Sequence, residues 1–222
     1  RANIVTLEQD LIAAVSKDFG YRTAFDTLVG DILPTMQGLA HIIKKLPRWS
    51  KPSHRSAGLS LWPSKVSVTY QPIGVVGVIA PWNYPIQLAL VPVITAIAAG
   101  NRVMLKLSEF TPNTNAVLEK IFIGELSQHC TIIQGGSEVA SEFSSLPFAH
   151  LLFTGSTAVG KLVMGAASKN LTPVTLELGG KSPVIVLENA DVNKAASALL
   201  FGKMANAGQI CVAPDYVFVP KA

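Results

Sequence analysis

The sequence predicts an α/β protein, a parallel β-sheet with helices on its flanks. The first observation is a series of short, nearly continuous apolar runs, which are typical of strands buried on both faces. The second is that helix-like segments separate most of these runs. Strands and helices that alternate at this spacing indicate βαβ units, in which consecutive strands lie parallel.

The N-terminal part of the chain has a helical pattern. Residues 3–17 and 21–46 carry apolar side chains three and four positions apart, so we expect two helices, the second kinked near Pro34. Residues 48–64 are rich in Ser, Pro and Gly, which is typical of a connector. The segment KVSVTYQP, residues 65–72, alternates apolar and polar side chains and predicts a half-buried strand.

The apolar runs and the segments between them define the predicted sheet and its helices. The predicted strands are VVGVIA (75–80), RVMLKL (102–107), CTIIQ (130–134), HLLFT (150–154), VTLEL (174–178) and PVIVL (183–187). The predicted helices are 86–99, 113–127, 136–145, 157–168 and 191–204. Because ligands bind open parallel sheets at the carboxyl ends of the strands, we expect functional residues just after these runs.

Composition limits the classes of protein. The chain has 222 residues, 49% hydrophobic and 14% charged, which is typical of a globular protein. Its net charge of +4 includes no dense basic stripe, so we expect no nucleic-acid partner. The most apolar run, 88–100, is too short to span a membrane and contains Pro92. The two cysteines cannot form a disulfide framework and no leader-like segment opens the chain, so we expect a reducing, cytoplasmic setting.

The segment FTGSTAVGK, residues 153–161, joins a predicted strand to a predicted helix. Gly155 permits a tight turn, and the free N–H groups of the helix could bind an anion. Ser156 could donate a hydrogen bond there or cap the helix, and Gly160 would let the helix pack closely on the sheet. The spacing is not GxGxxG, so a phosphate site and a plain helix cap fit the segment about equally.

The segment KLSEFTP, residues 106–112, places Lys106 and Glu109 at the carboxyl end of another predicted strand. A lysine and a carboxylate at that position could hydrogen-bond the ribose hydroxyls of a nucleotide. A surface ion pair is the simpler interpretation of this segment taken alone.

Two further segments carry polar groups between apolar elements. In APWNYP, residues 80–85, Asn83 could donate to an oxyanion or cap the following helix. In LELGGK, residues 176–181, Glu177 lies at an apolar strand end, where a raised pKa would suit a general base. A buried Glu paired with Lys or Arg is the alternative. The two glycines that follow it indicate a close approach to the backbone.

The segment GQICVAPD, residues 208–215, holds Cys211, which could be a small core residue or a nucleophile. Cys130 begins an apolar run and is predicted to be structural, and the histidines show no metal-ligand spacing, so no metal site is expected. A thiol, a donor amide and a carboxylate on such a domain indicate a reaction class: thiol attack on a carbonyl, hydride transfer, then hydrolysis.

Five motifs in series, PWNYP, KLSEFTP, FTGSTAVGK, LELGGKSP and GQICVAPDYV, resemble the aldehyde dehydrogenase superfamily. The segments YQPIGVVGVIAPWNYP and NLTPVTLELGGKSP are similar to the coniferyl aldehyde dehydrogenase and class 3 branch, which acts on aromatic and medium-chain aldehydes. The resemblance implies a Rossmann-like fold and the N-terminal half of a family member. The division it implies is N-terminal helices of the cofactor domain (1–58), an oligomerisation-arm strand (59–72), an NAD(P)-binding domain (73–207) and the start of the catalytic domain (208–222).

The resemblance also implies roles for the site residues. Cys211 would be the nucleophile, Asn83 with the backbone N–H of Cys211 would hold the oxyanion, and Glu177 would activate the hydrolytic water. The implied cofactor contacts are Lys106 and Glu109 at the adenine-side ribose, Gly155 and Ser156 at the pyrophosphate, Val159 at the adenine, and Trp82 near the nicotinamide. Glu109 would repel a 2′-phosphate, so NAD is the expected cofactor, although this branch often tolerates NADP.

Two departures from the family pattern stand out. Many relatives have Pro where this chain has Leu107, which implies a small local effect. The chain also stops shortly after Cys211, before most of the catalytic domain. An aldehyde dehydrogenase, homodimeric when complete, is therefore weighed against a catalytically silent, nucleotide-binding remnant of such an enzyme.

Overall fold

The computed structural model describes residues 1–221, and Ala222, the last residue of the predicted segment 208–222, lies outside the described residues. In chain order the strands of this part are β1 (Ser53–Arg55), β2 (Val66–Val68), β3 (Val75–Ile79), β4 (Arg102–Lys106), β5 (Cys130–Ile133), β6 (His150–Gly155), β7 (Val174–Leu178), β8 (Ser182–Ile185) and β9 (Pro214–Phe218). The α-helices are α1 (Ala2–Thr6), α2 (Glu8–Asp18), α3 (Ala24–Thr27), α4 (Leu33–Trp49), α5 (Gln87–Ala98), α6 (Pro112–Glu119), α7 (Ser137–Ser144), α8 (Thr157–Ala167) and α9 (Val192–Met204).

Five strands form the central sheet, in the order β5-β4-β3-β6-β7, and every neighbouring pair is parallel. The predicted α/β class, with helices on the flanks of a parallel sheet, is confirmed. The chain builds outward from β3 to β5 on one side and then returns to add β6 and β7 on the other. The order thus reverses beside β3, and the carboxyl ends of β3 and β6 border the crevice where such sheets bind ligands.

The core lies on both faces of this sheet. On one face, fully buried Leu105 of β4 belongs to a cluster that includes Leu11 of α2 and Leu90 of α5. On the other face, β6 packs with α8 and with a pair of phenylalanine rings. A Cβ at Gly160 would lie 2.9 Å from Cδ2 of Leu178, so glycine allows α8 to pack closely on β7, as predicted.

The second sheet corrects one prediction and adds a strand. The run 183–187 was expected to be buried on both faces, but β8 pairs in parallel with β9 in a separate two-stranded sheet, and Ile185 is 68% exposed. The chain leaves the central sheet after β7, so β8 has no strand of that sheet beside it. An apolar run indicates which side chains would gain from burial, but not which layer covers them.

The hairpin β1–β2 corrects another prediction. The half-buried strand expected over 65–72 is limited to Val66–Val68, and all of its residues are exposed. It pairs antiparallel with β1, which lies in the predicted connector 48–64. A two-stranded ribbon has no second layer of its own to bury either face.

The predicted helices are present with three irregularities. The helix predicted over 3–17 is divided at Leu7 into α1 and α2. A π-helical segment, Leu28–Ile32, runs directly into α4, and Pro34, which has no backbone N–H, lies in the first turn of α4. The predicted helix 113–127 ends early, because α6 stops at Glu119 and two short 3₁₀ turns follow.

A buried carboxylate joins the N-terminal helices to the sheet layer. Asp31, fully buried, accepts hydrogen bonds from the backbone N–H groups of Gln87 (2.8 Å) and Ile86 (3.2 Å), which would otherwise be unpaired at the start of α5. Its other oxygen accepts from Nη1 of Arg22 at 3.1 Å. Burial raises the pKa of Asp31 to about 6, against the opposing effect of these hydrogen bonds and of the Arg22 charge.

We expect this carboxyl group to make stability depend on pH. Its pKa in the folded protein, about 6, lies above its ordinary value of 3.8, so the folded state binds the proton more tightly. The resulting stabilisation is complete below the lower pKa and is lost as pH rises through the higher one. Relative to Asp31→Asn, the free energy of unfolding of the parent chain should fall with pH in this window, by up to about 1.4 kcal/mol per pH unit.

Urea unfolding of both chains between about pH 4 and 7 measures this difference. The matched control is Asp10→Asn, which alters an exposed carboxylate and should leave the pH dependence unchanged. Parallel curves for the parent chain and Asp31→Asn would contradict the expectation.

Candidate active site

One cavity of about 820 Å³ lies at the carboxyl ends of β3, β4, β6 and β7. The structure brings all of the site residues singled out in the sequence to its walls: Cys211, Glu177, Asn83, Lys106, Glu109, Gly155, Ser156, Val159 and Trp82. These residues therefore lie around one cavity, although their roles stay predictions. The cavity lies at the switch point of the sheet order, where open α/β sheets bind ligands.

The start of α8 forms one wall of the cavity. Ser156 caps the helix, since its Oγ accepts a hydrogen bond from the backbone N–H of Val159 at 3.3 Å. The cap uses only one of the free N–H groups of the first turn, so it is compatible with an anion site at the same helix end. A Cβ at Gly155 would lie 2.5 Å from the ring of Phe153, so this turn requires glycine.

Lys106 and Glu109 form an ion pair whose two members differ in exposure. Lys106 is 1% exposed, and its Nζ donates to the backbone oxygen of Leu107 (2.8 Å) and to Oε2 of Glu109 (3.1 Å). The simpler interpretation, a surface pair, is wrong for the lysine. Partial burial acts to raise the pKa of Glu109, but hydrogen bonds from its own backbone N–H and from Lys106, with the Lys106 charge, lower it overall. The cavity wall thus carries an ionised acceptor.

Asn83 connects the loop after β3 to the cysteine loop. Its Nδ2 donates to the backbone oxygen of Gln209 at 2.8 Å. Its own backbone oxygen accepts from Nδ2 of Asn206 (3.0 Å) and from Nη1 of Arg22 (3.3 Å). The alternative that Asn83 caps α5 is wrong, because Asp31 accepts from the first N–H groups there.

Cys211 is exposed and lies on a turn just before β9, in which the N–H of Ala213 donates to the oxygen of Ile210 at 3.1 Å. The alternative of a core cysteine is wrong for Cys211. It is correct for Cys130, which is buried in β5, where desolvation raises the pKa of the thiol to about 12. A thiol with that pKa stays protonated and inert at neutral pH.

Glu177 lies near the end of β7 and is exposed. The desolvation expected from its apolar neighbours in sequence is therefore absent, and no ion pair found within residues 1–221 includes it. The reason is topological. Strand β7 is the outermost strand of the central sheet on its side, so no further strand of that sheet covers this carboxylate.

Trp82 is 39% exposed and its ring lies 6.1 Å from that of Phe19. It lines both the main cavity and a smaller one of about 450 Å³, which also includes Phe19 and Phe110. The two cavities thus share an aromatic wall.

Of the two glycines after Glu177, one admits a close approach to the backbone. A Cβ at Gly180 would lie 2.8 Å from the backbone oxygen of Cys211, whereas one at Gly179 would meet nothing within 4 Å. The group that approaches is therefore the cysteine loop itself, and Gly180 sets how near it can lie to the end of β7.

The sequence reasoning missed several residues that shape this site. Arg22 and Asp31 have no local pattern that marks them, because their partners lie far along the chain. Asn206 had a detectable signal. It opens a run with Ala207 and Gly208 in which all φ values are positive (47°, 54° and 79°), and Asn and Gly are the residues that adopt this conformation most readily.

The fold and the cavity define a class of protein, the open parallel α/β domains whose binding crevice lies where the strand order reverses. A model of the aldehyde dehydrogenase family matches residues 3–222. The chain belongs to the aldehyde dehydrogenase family.

The relatives agree with this assignment. The chain is 50% identical over 214 residues to a probable coniferyl aldehyde dehydrogenase of Pseudomonas aeruginosa, covering 96% of this chain and 45% of that protein. It is 49% identical over 210 residues to the coniferyl aldehyde dehydrogenase of a Pseudomonas species, covering 94% of this chain and 43% of that protein. The chain thus spans about half the length of the curated relatives it matches. The resemblance to the coniferyl aldehyde dehydrogenase branch is confirmed.

Solved structures show the same relationship. The substrate-bound AldH of Staphylococcus aureus superposes with a TM-score of 0.94 at 41% identity, covering 98% of this chain and 48% of that one. An aldehyde dehydrogenase of Mycobacterium tuberculosis, complexed with NAD⁺, superposes with a TM-score of 0.86 at 28% identity, covering 98% of this chain and 44% of that one. These neighbours confirm the predicted Rossmann-like fold. Within residues 1–221, no helix is long and apolar enough to cross a membrane.

We expect Gly180→Ala to displace the cysteine loop, because its new methyl group would meet the Cys211 carbonyl at 2.8 Å. Overpacking of this kind costs about 1–3 kcal/mol. Hydrogen–deuterium exchange should be faster over residues 209–213, and urea unfolding should show the lower stability. Gly179→Ala is the matched control, because its methyl group would enter open space. Equal exchange in the two variants would show that Gly180 is not under this constraint.

Proposed function

We propose that the protein carrying this sequence oxidises an aldehyde to the carboxylic acid with NAD as the oxidant and NADP as a second choice. We propose an aromatic substrate such as coniferaldehyde, or a medium-chain aldehyde, since two relatives that are 50% and 49% identical to the chain are named for coniferyl aldehyde. The observation that carries the proposal is that Cys211, Asn83 and Glu177 line the same cavity as the nucleotide-type groups. For the complete protein we propose a homodimer.

The cavity walls fit a dinucleotide. Between α7 and α8 the wall is mostly apolar, with Val159 and Leu162 beside Ala140, which suits the flat face of a base. The carboxylate of Glu109 can accept hydrogen bonds from ribose hydroxyls and would repel a 2′-phosphate. The N-terminus of α8 offers N–H donors to a pyrophosphate. Trp82 lines the same cavity as Cys211.

The first half of the proposed reaction is carried by Cys211 and Asn83. The thiolate sulfur forms a bond to the aldehyde carbon, and the carbonyl electron pair moves to the oxygen. Asn83 Nδ2 has two hydrogens, of which one reaches the Gln209 oxygen, so the other can donate to this oxyanion together with the N–H of Cys211. A nicotinamide nucleotide bound in this cavity would supply the acceptor for the hydride of this carbon, and loss of that hydride would leave Cys211 as a thioester.

The second half is hydrolysis. Glu177 removes a proton from a water molecule, whose oxygen attacks the thioester carbon. The carbon–sulfur bond then breaks, the acid leaves and the thiolate of Cys211 is restored. The exposure of Glu177 gives the proton a direct route to solvent.

One observation favours a second function, nucleotide binding without turnover. Cys211 and Glu177 are both exposed, whereas hydride transfer and a thioester intermediate need a site that excludes water. The residues that we propose contact the nucleotide, in contrast, include Lys106, which is buried.

The test of the leading proposal is NADH formation from coniferaldehyde and NAD by the 222-residue chain. Cys211→Ser should lower turnover by about 10³-fold or more, because the alcohol is a poor nucleophile in place of the thiolate. Cys130→Ala, which removes the buried thiol, is the matched control and should keep turnover. Loss in both variants would argue against a specific role for Cys211. A parent chain that binds NAD by calorimetry but forms no NADH would instead support the second function.

Cofactor choice gives a prediction that needs no turnover. Glu109→Gln removes the negative charge at the ribose position, so the affinity for NADP should rise relative to NAD by about 10-fold, the equivalent of about 1.4 kcal/mol. Calorimetric titration of the 222-residue chain measures both affinities. Glu119→Gln, at an exposed carboxylate outside the cavity, is the control. An unchanged ratio in Glu109→Gln would remove Glu109 from the explanation of cofactor preference.

A further inference from the structure

The backbone carbonyl of Asn83 is held from two sides by buried side chains. Nδ2 of Asn206 donates to it at 3.0 Å and Nη1 of Arg22 at 3.3 Å. Asn206 is 8% exposed and Arg22 5%, and neither lines the cavity. Both therefore act on the position of Asn83 without reaching the place where a substrate would lie.

Asn206 also contacts the cysteine loop. Its Nδ2 lies 3.4 Å from the backbone oxygen of Gln209, the same oxygen that accepts from Nδ2 of Asn83 at 2.8 Å. Gln209 precedes Cys211 by two residues. The Asn206 carboxamide thus connects the loop after β3 to the loop that carries Cys211. The Asn83 side chain makes a second connection between the same two loops, through the Gln209 oxygen.

Each of the two donors is itself held in place. Asn206 has a left-handed backbone, with φ of 47°, which Asn tolerates better than most residues. Arg22 is fixed by its ion pair with Asp31 at 3.1 Å and by the rings of Phe19 and Tyr84, whose centroids lie 5.2 and 4.8 Å from its Cζ. Neither donor has to be ordered again when a ligand binds.

We propose that Asn206 and Arg22 are positioning residues, which hold the carbonyl of Asn83 and thereby fix its side-chain amide relative to Cys211. A donor to a developing oxyanion is effective only when it is held in the productive geometry before reaction. The inference rests on the proposed oxyanion role of Asn83, and the experiment below separates the two.

Two reactions of Cys211 that need no nucleotide differ in whether they pass through an oxyanion. In acylation by p-nitrophenyl acetate, the sulfur bonds to the acetyl carbon, a tetrahedral oxyanion forms, and p-nitrophenolate leaves. In alkylation by iodoacetamide, the sulfur displaces iodide and no oxyanion forms. The ratio of the two rates therefore reports the oxyanion donor, whereas a general displacement of the thiol changes both rates together.

The measurements use the 222-residue chain with Cys130→Ala, which leaves Cys211 as the only thiol, and the rates of a Cys211→Ser chain are subtracted. Asn206→Asp keeps the shape and the tolerance of a left-handed backbone but replaces the NH₂ donor by a carboxylate that repels both carbonyl oxygens. We expect it to lower the acylation-to-alkylation ratio about 10-fold, which is less than the roughly 10²–10³-fold cost of removing an oxyanion donor, because Asn83 is displaced and not deleted. Asn206→Gly, which keeps the backbone and deletes the amide, should lower the ratio in the same direction.

Arg22→Lys tests the other side of the carbonyl. It keeps the positive charge beside Asp31 but lacks the planar group that reaches two acceptors, so the ratio should also fall. Asn170→Asp is the matched control, because the exposed Asn170 amide also donates to a backbone carbonyl, that of Ser145 at 2.7 Å, outside the cavity. If Arg22→Lys fails to fold, the two Asn206 variants decide the outcome.

The reference variant is Asn83→Ala. If it lowers the ratio and the Asn206 variants leave it unchanged, the positioning role is overturned and the oxyanion role of Asn83 stands. If Asn83→Ala itself leaves the ratio unchanged, the oxyanion role fails and this inference fails with it. Equal losses of acylation and alkylation in the Asn206 variants also overturn it, because they show a general displacement of the loop.

Discussion

The Asp31 carboxylate is the contact on which the geometry of the site depends. It is fully buried and meets both the start of α5 and the guanidinium of Arg22, which in turn reaches the carbonyl of Asn83. Burying a charge is costly unless it is paired and hydrogen-bonded, and here both conditions are met. The N-terminal helices are thus a structural support for the loop that carries Asn83, although none of their residues resembles a catalytic motif.

The cavity divides into two parts with different surroundings. The side that we propose binds the nucleotide is built from the sheet and α8, with Lys106 buried and Gly155 close to the Phe153 ring. The side that we propose carries the chemistry is built from the end of β7 and the cysteine loop, where Glu177 and Cys211 are exposed. The groups proposed to bind the nucleotide thus include a buried lysine, whereas the groups proposed to react are open to solvent.

Close approach of backbones sets the relative position of these parts. Gly160 lets α8 pack on β7, and Gly180 lets the cysteine loop lie against the end of the same strand. Because a packed interior transmits even small changes in volume, each of these glycines controls a distance between elements that come from different parts of the chain. The family motifs that contain them are therefore packing constraints as well as chemical ones.

Local patterns predicted the alternation of strands and helices and the five strands of the central sheet, because apolar periodicity and the turn residues after each strand are local properties. The full set of predicted site residues, all of which line the cavity, came from the motifs shared with the family. Three features depend on how the chain folds: β8 pairs with β9, Glu177 is exposed at an outer strand, and Arg22 and Asn206 hold Asn83. Those contacts join residues 61 and 123 positions apart, and no local pattern encodes a partner at such a separation. Burial and pairing depend on which layers meet, and this is a property of the folded chain.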